Sequence, residues 1–595
     1  MSIGRLELRR DRLIKCLYVV LLLFISIPLF SGYLYRIGGG HDINFHLMRI
    51  EGLAEGIRMG QFPVKIQPAW YEGYGYGCSV FYGDVFLYIP ALLRLLGLPL
   101  QLAYKFYVVM IQAGTIAISS YSFKRIFKDK MVAFWGTALY ALAVYRLMNI
   151  FVRGAVGEYT AMAFLPLIAY ALILLLTQES SKQELKKGSL LLALAMTGIL
   201  QSHILSAEMV CIVLAVICVV YIKRIFKAQV FVAFVKAVCL ALLLNLGFLV
   251  PFADYMVTGK FNVNAINGGW RVEQNIQEYG AFISQLFQLF YKAGGGNLLR
   301  SEGTEGEMPI GVGLSLILAL AVFVFMLLKL SREEKQQFVW KLAKISGFVA
   351  ILSLFMSTCY FPWETLRKSN VLIRYIVINL QFPWRFCTIA SVSLVLLWCC
   401  LLQLALAKWS RKKVMVAAGT IIGMSMLTAG LFMIDVLKEG NAFQAVFAED
   451  MDTNVESGEE YLPVNAISDD FKEENLYQSE TITITEFERD GIRLAFRCVN
   501  DSETEQVLEL PLLYYKGYVA SGQSGESSEQ KLNCAAGNNQ VVSVTIPAGF
   551  SGNVTVDFKE PVYWRIAELI TLVTLVGIVM WHILRRKSKI TSSSI

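Results

Sequence analysis

The chain has 595 residues, of which 56% are hydrophobic and only 17% are charged, and its mean hydropathy is +0.53. A soluble protein of this size carries about a quarter charged residues. Residues 16–35 and 386–407 of this chain contain no charged residue at all, and runs of this length are long enough to cross a membrane. The composition therefore excludes an ordinary soluble enzyme and predicts an integral membrane protein. The net charge of +8 does not indicate nucleic-acid binding, because the basic residues flank apolar runs instead of covering one polar domain.

The N-terminal region joins a basic segment to an apolar run. Basic residues between Arg5 and Lys15 precede residues 16–35, an order that is shared by signal peptides and first membrane spans. The apolar run is too long for the core of a signal peptide, and no Ala-x-Ala cleavage motif stands before Gly38. We therefore expect an uncleaved first span.

Twelve apolar stretches are candidate membrane spans. Lys and Arg in short loops mark the cytoplasmic side, and seven basic clusters alternate with six segments of the opposite side, as twelve spans with both termini in the cytoplasm require. The predicted fold class is a polytopic α-helical protein of the plasma membrane. The predicted spans are centred near residues 25, 114, 139, 168, 196, 215, 242, 319, 352, 396, 424 and 574.

The apolar stretch 188–222 is interrupted only by His203 and Glu208 and has basic residues on both sides. Both flanks then lie on one side of the membrane, so we expect a helical hairpin with these two residues at its outer turn. Residues 84–96 are too few to span and are interpreted as an interfacial or re-entrant helix. The principal outer loops are predicted at 36–104, 254–309 and 360–385.

The last outer segment changes to a strand pattern. β-branched residues alternate with others in Thr481-Ile-Thr-Ile-Thr, Val542-Ser-Val-Thr-Ile and Val554-Thr-Val-Asp-Phe. A period of two predicts strands with one buried face, and about 110 residues suffice for a small β-sandwich-like domain. The predicted domains are a transmembrane domain (1–435), an extracytoplasmic β-rich domain (436–562), and a last span with a basic cytoplasmic tail (563–595).

Two cysteines, Cys498 and Cys534, fall in this polar C-terminal region. They are able to form a disulfide if the region is extracytoplasmic, and the sequence leaves that pairing open.

A dense group of ionisable residues, which includes two of the four histidines of the chain, lies between Gly38 and Glu51. If residues 41–52 form a helix, Asp42, His46 and Arg49 share one face and His41 lies to one side. A carboxylate beside imidazoles and a guanidinium is suited to deprotonating an alcohol. The alternative is a solvated helix start, with Asp42 near the positive end of the helix dipole.

The same segment is also a candidate for binding a divalent metal ion. Asp42 and His46 supply two ligands, and His203 or Glu158 is needed to complete the set. No other His/Cys spacing in the chain is typical of a metal site.

Further ionisable residues are predicted at the outer ends of spans. Arg153-Gly-Ala-Val-Gly-Glu158 lies at a predicted helix–helix turn, where a paired Arg and Glu at a helix start is the structural alternative. Basic residues are disfavoured on this face, so their number indicates an anionic partner such as a lipid phosphate, whereas any one of them is as well explained as an interfacial anchor. The outer basic residues are Arg146, Arg153, Arg271, Arg367, Lys368, Arg374 and Arg385.

Several motifs resemble the bacterial YfhO-like membrane proteins, a family related by name to pyruvoyl-tetrahydropterin synthase, and more broadly the GT-C superfamily of glycosyltransferases. The resemblance covers nearly the whole chain, although nothing in it resembles a soluble pterin-binding domain. The motifs are His41-Asp-x-x-Phe-His-x-x-Arg49, Gly73-Tyr-Gly-Tyr-Gly77, Arg153-Gly-Ala155, Gln381-Phe-Pro-Trp-Arg385 and Tyr514-Tyr-Lys-Gly-Tyr518.

The resemblance implies a glycosyltransferase that takes a sugar from a polyprenyl-phosphate donor to a cell-envelope acceptor on the outer face. Asp42 then corresponds to the general base, with His41, His46 and Glu158 as further catalytic candidates. Many relatives have an acidic pair where this chain has His41-Asp42, which leaves a metal-assisted variant open. By the same resemblance, the donor phosphate is expected to meet Arg385, Arg153 and Arg49, and His203 and Trp384 to line the cavity.

Two other classes remain open. A lipid or glycan transporter or flippase would place polar residues near the middle of spans or show broken helices, whereas the charges here cluster at one predicted face. A non-enzymatic scaffold that presents the β-rich domain is the second alternative.

Overall fold

A computed structural model describes residues 3–30, 36–38, 40–127, 129–177, 180–264, 275–291, 310–438, 443–445, 456–471, 481–525 and 528–591. The predicted outer residue Arg271 lies outside these ranges. The chain forms two compact units, each assembled from three stretches. Unit 1 comprises Met1–Ile43, Gln101–Val238 and Trp270–Val446, and unit 2 comprises Asn44–Leu100, Cys239–Gly269 and Phe447–Ile595.

Unit 1 is predominantly α-helical. The first third of the helix Ala228–Thr258 also belongs to unit 1. The other described helices of this unit are Ile3–Ile25, Ile27–Phe30, Leu100–Ile126, Lys130–Ala141, Val144–Phe151, Val156–Met162, Leu165–Leu176, Lys182–Leu200, Ile204–Val220, Ile222–Ile225, Leu314–Lys329, Phe338–Met356, Trp363–Arg367, Val371–Asn379, Cys387–Lys408 and Arg411–Lys438. Short 3-10 turns include Ile276–Tyr279, Ile283–Gln285, Glu334–Gln336 and Pro383–Phe386.

Seven described helices are long and apolar enough to cross a membrane, or eight if one bent pair counts as a span. These helices confirm the prediction of a multi-helical membrane protein. The predicted number of twelve spans is not confirmed, since Ile204–Val220 and Leu314–Lys329 are shorter than a full crossing. The long helices are Leu100–Ile126, Val156–Leu176, Ala228–Thr258, Phe338–Met356, Pro383–Lys408, Arg411–Lys438 and Val562–Leu584.

The helix Cys387–Lys408 forms the centre of unit 1. It is buried on nearly every face, which fits a helix that is apolar all round and surrounded by others. It packs against Phe338–Met356, Leu314–Lys329 and Lys130–Ala141. The predicted pair of helices is present, since Lys182–Leu200 packs on Ile204–Val220 across a short turn that contains His203. The placement of Glu208 at that turn is wrong, because Glu208 lies within the second helix.

One predicted span is a bent pair of helices. Lys130–Ala141 and Val144–Phe151 meet at an angle of 41°. A break of this kind frees backbone carbonyl groups at the end of the first helix, and these need other donors.

Unit 1 also contains a short two-stranded ladder. The strand β1 (Arg36–Gly38) pairs antiparallel with β2 (Phe443–Ala445). The ladder therefore joins two stretches that lie far apart in the sequence, just before Asp42 and just after the helix Arg411–Lys438.

Unit 2 combines a few helices with a seven-stranded sheet. The helices Ile43–Arg58, Cys78–Phe81 and Tyr88–Leu95 precede the sheet, which is followed by the long apolar helix Val562–Thr591. All strand pairs are antiparallel, in the order β3-β4-β9-β6-β7-β8-β5. The strands are β3 (Ile482–Asp490), β4 (Arg493–Asn500), β5 (Gln506–Leu513), β6 (Tyr518–Gln523), β7 (Gln530–Ala536), β8 (Val541–Ile546) and β9 (Ser551–Phe558).

The predicted C-terminal strands are confirmed as antiparallel strands, and all seven belong to one continuous order of hydrogen-bonded neighbours. This continuity depends on β7, whose first residues pair with β6 and whose last residues pair with β8. A strand that changes partners in this way turns a corner between two halves of a sheet. Cys498 lies on β4 and Cys534 on β7. Both are free thiols in the structure, so the disulfide that the sequence leaves open is not formed there.

Candidate functional site

Asp42 lies at the start of a helix in the described structure. The helix runs from Ile43 to Arg58, so the predicted helix over 41–52 begins two residues late, and His41 and Asp42 occupy the preceding turn. The backbone N–H of Asp42 donates to the carbonyl oxygen of Arg153 at 2.8 Å. This bond fixes the Asp42 turn against the loop that carries Arg153.

Two glycines permit this close approach. A Cβ on Gly40 would lie 3.0 Å from the backbone of Arg153. Gly154 has a φ of +65°, which disfavours other residues, and a Cβ there would lie 3.0 Å from the Cβ of Ile43. Side chains at either position would separate Asp42 from Arg153.

Glu158 is the centre of a buried hydrogen-bonding array. It stands in the first turn of the helix Val156–Met162 and is 1% exposed. Its Oε1 accepts from the Tyr145 hydroxyl at 2.8 Å, the Asn149 amide at 3.3 Å and the Thr388 hydroxyl at 3.0 Å. Its Oε2 accepts from Arg153 Nη1 at 2.6 Å. Both oxygens are therefore occupied by protein donors.

Arg153 joins the two carboxylates. Besides Glu158, its Nη1 donates to Asn149 Oδ1 at 2.7 Å, and its Nη2 donates to Asp42 Oδ2 at 3.3 Å. Burial of the guanidinium lowers its pKa, but the carboxylates of Glu158 and Asp42 more than offset this, so the pKa of Arg153 is raised. Arg153 therefore stays charged at any physiological pH.

Arg385 and Trp384 reach the same array from the turn Pro383–Phe386. Arg385 Nε lies 3.6 Å from Glu158 Oε2, within ion-pair distance but too far for a hydrogen bond. Its Nη1 donates to Gln381 Oε1 at 2.7 Å. The Trp384 ring lies 4.8 Å from the Arg153 guanidinium carbon, a cation–π contact.

The two carboxylates of this array differ in access. The side chain of Glu158 is 1% exposed, whereas that of Asp42 is 35% exposed and accepts one side-chain hydrogen bond, from Arg153. The charges of Arg153 and Arg385 balance those of Asp42 and Glu158, so the net charge of the array is zero. Asp42 is the carboxylate that a substrate is able to reach.

His203 lies near the array, and His41 is exposed. His203 is buried at the start of Ile204–Val220, where its Nδ1 accepts from the Ser206 amide at 3.2 Å. It is close enough to interact electrostatically with Glu158. Residues from four separate stretches therefore lie together in unit 1: Asp42, Arg153 with Glu158, His203, and Trp384 with Arg385.

His46 and Arg49 belong to unit 2 and have partners there. The buried Arg49 pairs with Asp84, donates to the carbonyl oxygen of Gly83 at 2.9 Å and stacks 4.0 Å from the Tyr82 ring. His46 Nδ1 lies 3.2 Å from Arg49 Nη1. The predicted phosphate-binding guanidinium of Arg49 is thus already engaged by a carboxylate.

The proposed metal ligands do not form a metal site. Within the ranges that the structure covers, no group of three or more His, Cys, Asp or Glu side chains is placed to hold a metal ion.

Sequence reasoning missed three of the residues that hold Glu158, namely Tyr145, Asn149 and Thr388. Tyr145, Asn149 and Arg153 are spaced four apart, so the first two share a face of Val144–Phe151, and this spacing was available as a signal. Thr388 follows Arg385 by three residues and lies in the first turn of Cys387–Lys408. No sequence signal connects Thr388 to Glu158.

Replacing Thr388 by Val is expected to destabilise the protein by about 1–3 kcal/mol. The change keeps the shape of the side chain but removes a donor to a buried carboxylate. Thermal unfolding of the purified protein measures the effect. The matched control is Thr420→Val on an exposed helix face, where the hydroxyl bonds only its own helix. Equal melting temperatures for the two variants would contradict the expectation.

Comparisons with known proteins leave the family of the chain open. No family model matches it. The chain is 26% identical to an uncharacterized protein of Lactococcus lactis subsp. cremoris (strain MG1363) over 102 residues. The matched segment covers 17% of this chain and 16% of that protein.

Three solved structures are similar at low TM-scores. The mycobacterial arabinofuranosyltransferase AftD matches 71% of this chain with a TM-score of 0.36 and 12% identity. An Archaeoglobus fulgidus oligosaccharyltransferase in the apo form matches 72% (TM-score 0.36, 12% identity), and AglB from the same organism, with an inhibitory peptide and a dolichol-phosphate, matches 74% (0.35, 13%). The chain spans 27% of the first protein and 56–57% of the others. At these values the similarities assign neither an activity nor a residue role.

Proposed function

We propose that this chain is a membrane glycosyltransferase that moves a sugar from a polyprenyl-phosphate donor to a cell-envelope acceptor on the outer face of the membrane. The observation that carries the proposal is the array in unit 1, where a solvent-accessible carboxylate, Asp42, is held by the buried Arg153. The sequence motifs that resemble the YfhO-like family and the GT-C superfamily add support, because they contain Asp42, Arg153 and Arg385.

The reaction proposed is a single displacement at the sugar carbon. Asp42 accepts the proton of the acceptor hydroxyl as the new carbon–oxygen bond forms. The bond from the sugar carbon to the phosphate oxygen breaks, and the lipid phosphate leaves with the electron pair. In this proposal Arg385, whose Nε makes no hydrogen bond, and Arg153 stabilise that charge.

Glu158 has a positioning role in this proposal. It was predicted as a catalytic candidate, but each of its oxygens already accepts hydrogen bonds from buried donors. A carboxylate in this state orients Arg153 and Arg385 and cannot reach a substrate. His41, exposed in the turn beside Asp42, contributes to the acceptor side.

The function is tested with the full-length protein in nanodiscs. Polyprenyl-phosphate-linked hexoses and pentoses, radiolabelled in the sugar, are supplied with a cell-envelope extract as acceptor. We expect label in the extract and release of free polyprenyl phosphate that requires the extract. The proposal fails if no donor of either sugar class is consumed by protein that is shown to be folded.

A lipid or glycan transporter is the second candidate, and one observation favours it. The bent pair Lys130–Ala141 and Val144–Phe151 is a broken helix of the kind that transporters use near the middle of the membrane. A transporter moves the labelled lipid between the two leaflets and leaves the sugar–phosphate bond intact. The same labelled donors in sealed vesicles separate the two candidates.

A further inference from the structure

Arg146 is a buried cation outside the array described above. It stands near the start of Val144–Phe151, directly after the break in the bent pair, and has no exposed surface. The groups that act on its charge are the phenols of Tyr140 and Tyr159. No carboxylate in the described part of the chain forms an ion pair with it, unlike Arg153 and Arg385.

The guanidinium of Arg146 is poorly satisfied by the protein. Its Nη1 reaches the carbonyl oxygen of Ala141 at 3.4 Å, and its Nη2 reaches Thr115 Oγ1 at 3.3 Å. Both distances are long for N–H···O bonds, and Nε makes none. The contact with Ala141 caps a carbonyl freed by the break, which is the purely structural explanation, but it uses one of five N–H groups.

Other donors stand beside it. The hydroxyls of Tyr104 and Tyr159 are buried and make no hydrogen bond of ordinary geometry, although the two groups lie near each other. Tyr159 also interacts with the charge of Arg146. The Arg146 guanidinium and these two hydroxyls are buried donors with which no carboxylate in the described part of the chain is paired, and such a set is the complement of an oxyanion.

Arg146 lies deep among the apolar helices, beside a row of buried polar side chains. Thr115 lies near the middle of the 27-residue apolar helix Leu100–Ile126. Arg146, which contacts Thr115, therefore lies deeper than the outer end of a span at which the sequence predicts it. The helix Leu100–Ile126 carries buried polar side chains at intervals of three or four residues, so they lie along one face of the helix. Val108 is the one apolar residue in this series. The row is formed by Gln101, Lys105, Gln112, Thr115, Ser119 and Ser122. Ionisable residues at such depth mark binding sites or pathways by default.

We propose that Arg146, with Tyr159 and Tyr104, binds a phosphate oxyanion midway along the apolar helices, as inorganic phosphate or as the phosphomonoester of a lipid. A tetrahedral oxyanion accepts from Nε and one Nη of the guanidinium and from the phenolic hydroxyls. Its charge supplies the counter-ion that the protein lacks there. This site does not depend on glycosyl transfer, and it is distinct from the neutral array around Glu158.

The test measures protection of the full-length protein in maltoside detergent free of phosphate. Melting temperatures are recorded with inorganic phosphate, with a short-chain polyprenyl phosphate, and with the matching uncharged polyprenol. We expect one or both phosphates to raise the melting temperature of the wild type and the polyprenol to have no effect. Protection by both assigns a site for free phosphate, and protection by the lipid alone assigns a lipid phosphomonoester.

Variants locate the site. Arg146→Gln is expected to weaken phosphate binding at least tenfold, and Arg146→Lys, which keeps the charge but loses the planar fork, to weaken it less. The control is Arg367→Gln, since Arg367 is paired with Glu364 on another helix. Arg146 is a structural cap only, and the proposal is wrong, if the wild type gains no protection from either phosphate or if Arg146→Lys and Arg146→Gln both retain wild-type binding.

Discussion

Replacing Asp42 by Asn is expected to lower the rate of glycosyl transfer by about 10²–10⁴-fold and to leave the fold intact. Asn keeps the size of the side chain and an oxygen that is able to accept from Arg153, but it cannot take the proton of an acceptor hydroxyl. The ion pair that is lost spans 3.3 Å, and its carboxylate side is 35% exposed. Such pairs contribute about 1 kcal/mol or less, so the loss of rate should exceed the loss of stability.

Initial rates with saturating donor measure this effect. Asp11→Asn is the matched control, because Asp11 is an exposed carboxylate of unit 1 that pairs with Lys130, outside the array. Both variants should melt close to the wild type. If Asp42→Asn transfers sugar at the wild-type rate, Asp42 is not the base and the proposed mechanism is wrong.

Replacing Glu158 by Gln is expected to destabilise the protein by roughly 3–5 kcal/mol. The change leaves Arg153 without its shortest ion pair and Arg385 without a carboxylate within 4 Å in the described part of the chain. Both guanidinium groups are buried, so water cannot replace the lost charge at low cost. Removal of one member of a buried ion network is among the largest effects of single substitutions.

Thermal or denaturant unfolding in nanodiscs measures this loss. The control Glu364→Gln removes a partly exposed ion pair with Arg367 and should cost about 1 kcal/mol or less. The double variant Glu158→Gln with Arg153→Met should recover part of the stability, because it removes the orphaned charge together with its partner. A loss for Glu158→Gln no larger than that for the control would show that the array is not electrostatically coupled.

Much of the helical scaffold is predictable because membrane helices carry their signal in composition alone. Hydropathy locates Phe338–Met356 and Cys387–Lys408, and basic flanks locate the hairpin around His203. Boundaries are less predictable where tertiary contacts decide them. The bend between Ala141 and Val144 interrupts a continuous apolar run and has no proline to announce it.

The sheet illustrates a second limit. Alternating β-branched residues identify β3, β8 and β9, because each strand buries one face. Pairing order depends on contacts between distant strands, which a local pattern does not contain. The exchange of partners along β7 is therefore invisible in the sequence.

The candidate site was partly predictable. Asp42, Arg153, Glu158 and Arg385 stand out because charged residues are costly beside apolar spans. Helical periodicity correctly places His46 and Arg49 on one helix face, as their contact shows. It cannot show which partner that face meets, and Asp84, which neutralises Arg49, lies 35 residues away in the sequence.

The ladder between β1 and β2 sets an order of events during biosynthesis. Gly38, four residues before Asp42, pairs with Phe443, and chains emerge from the ribosome at about 5–20 residues per second. The partner strand is made about 400 residues later, which is roughly 20–80 s at that speed. Most of the helices are therefore synthesised before the segment that precedes Asp42 is able to pair with β2. A chain interrupted before Phe443 contains every residue of the array but lacks the strand that pairs with this segment.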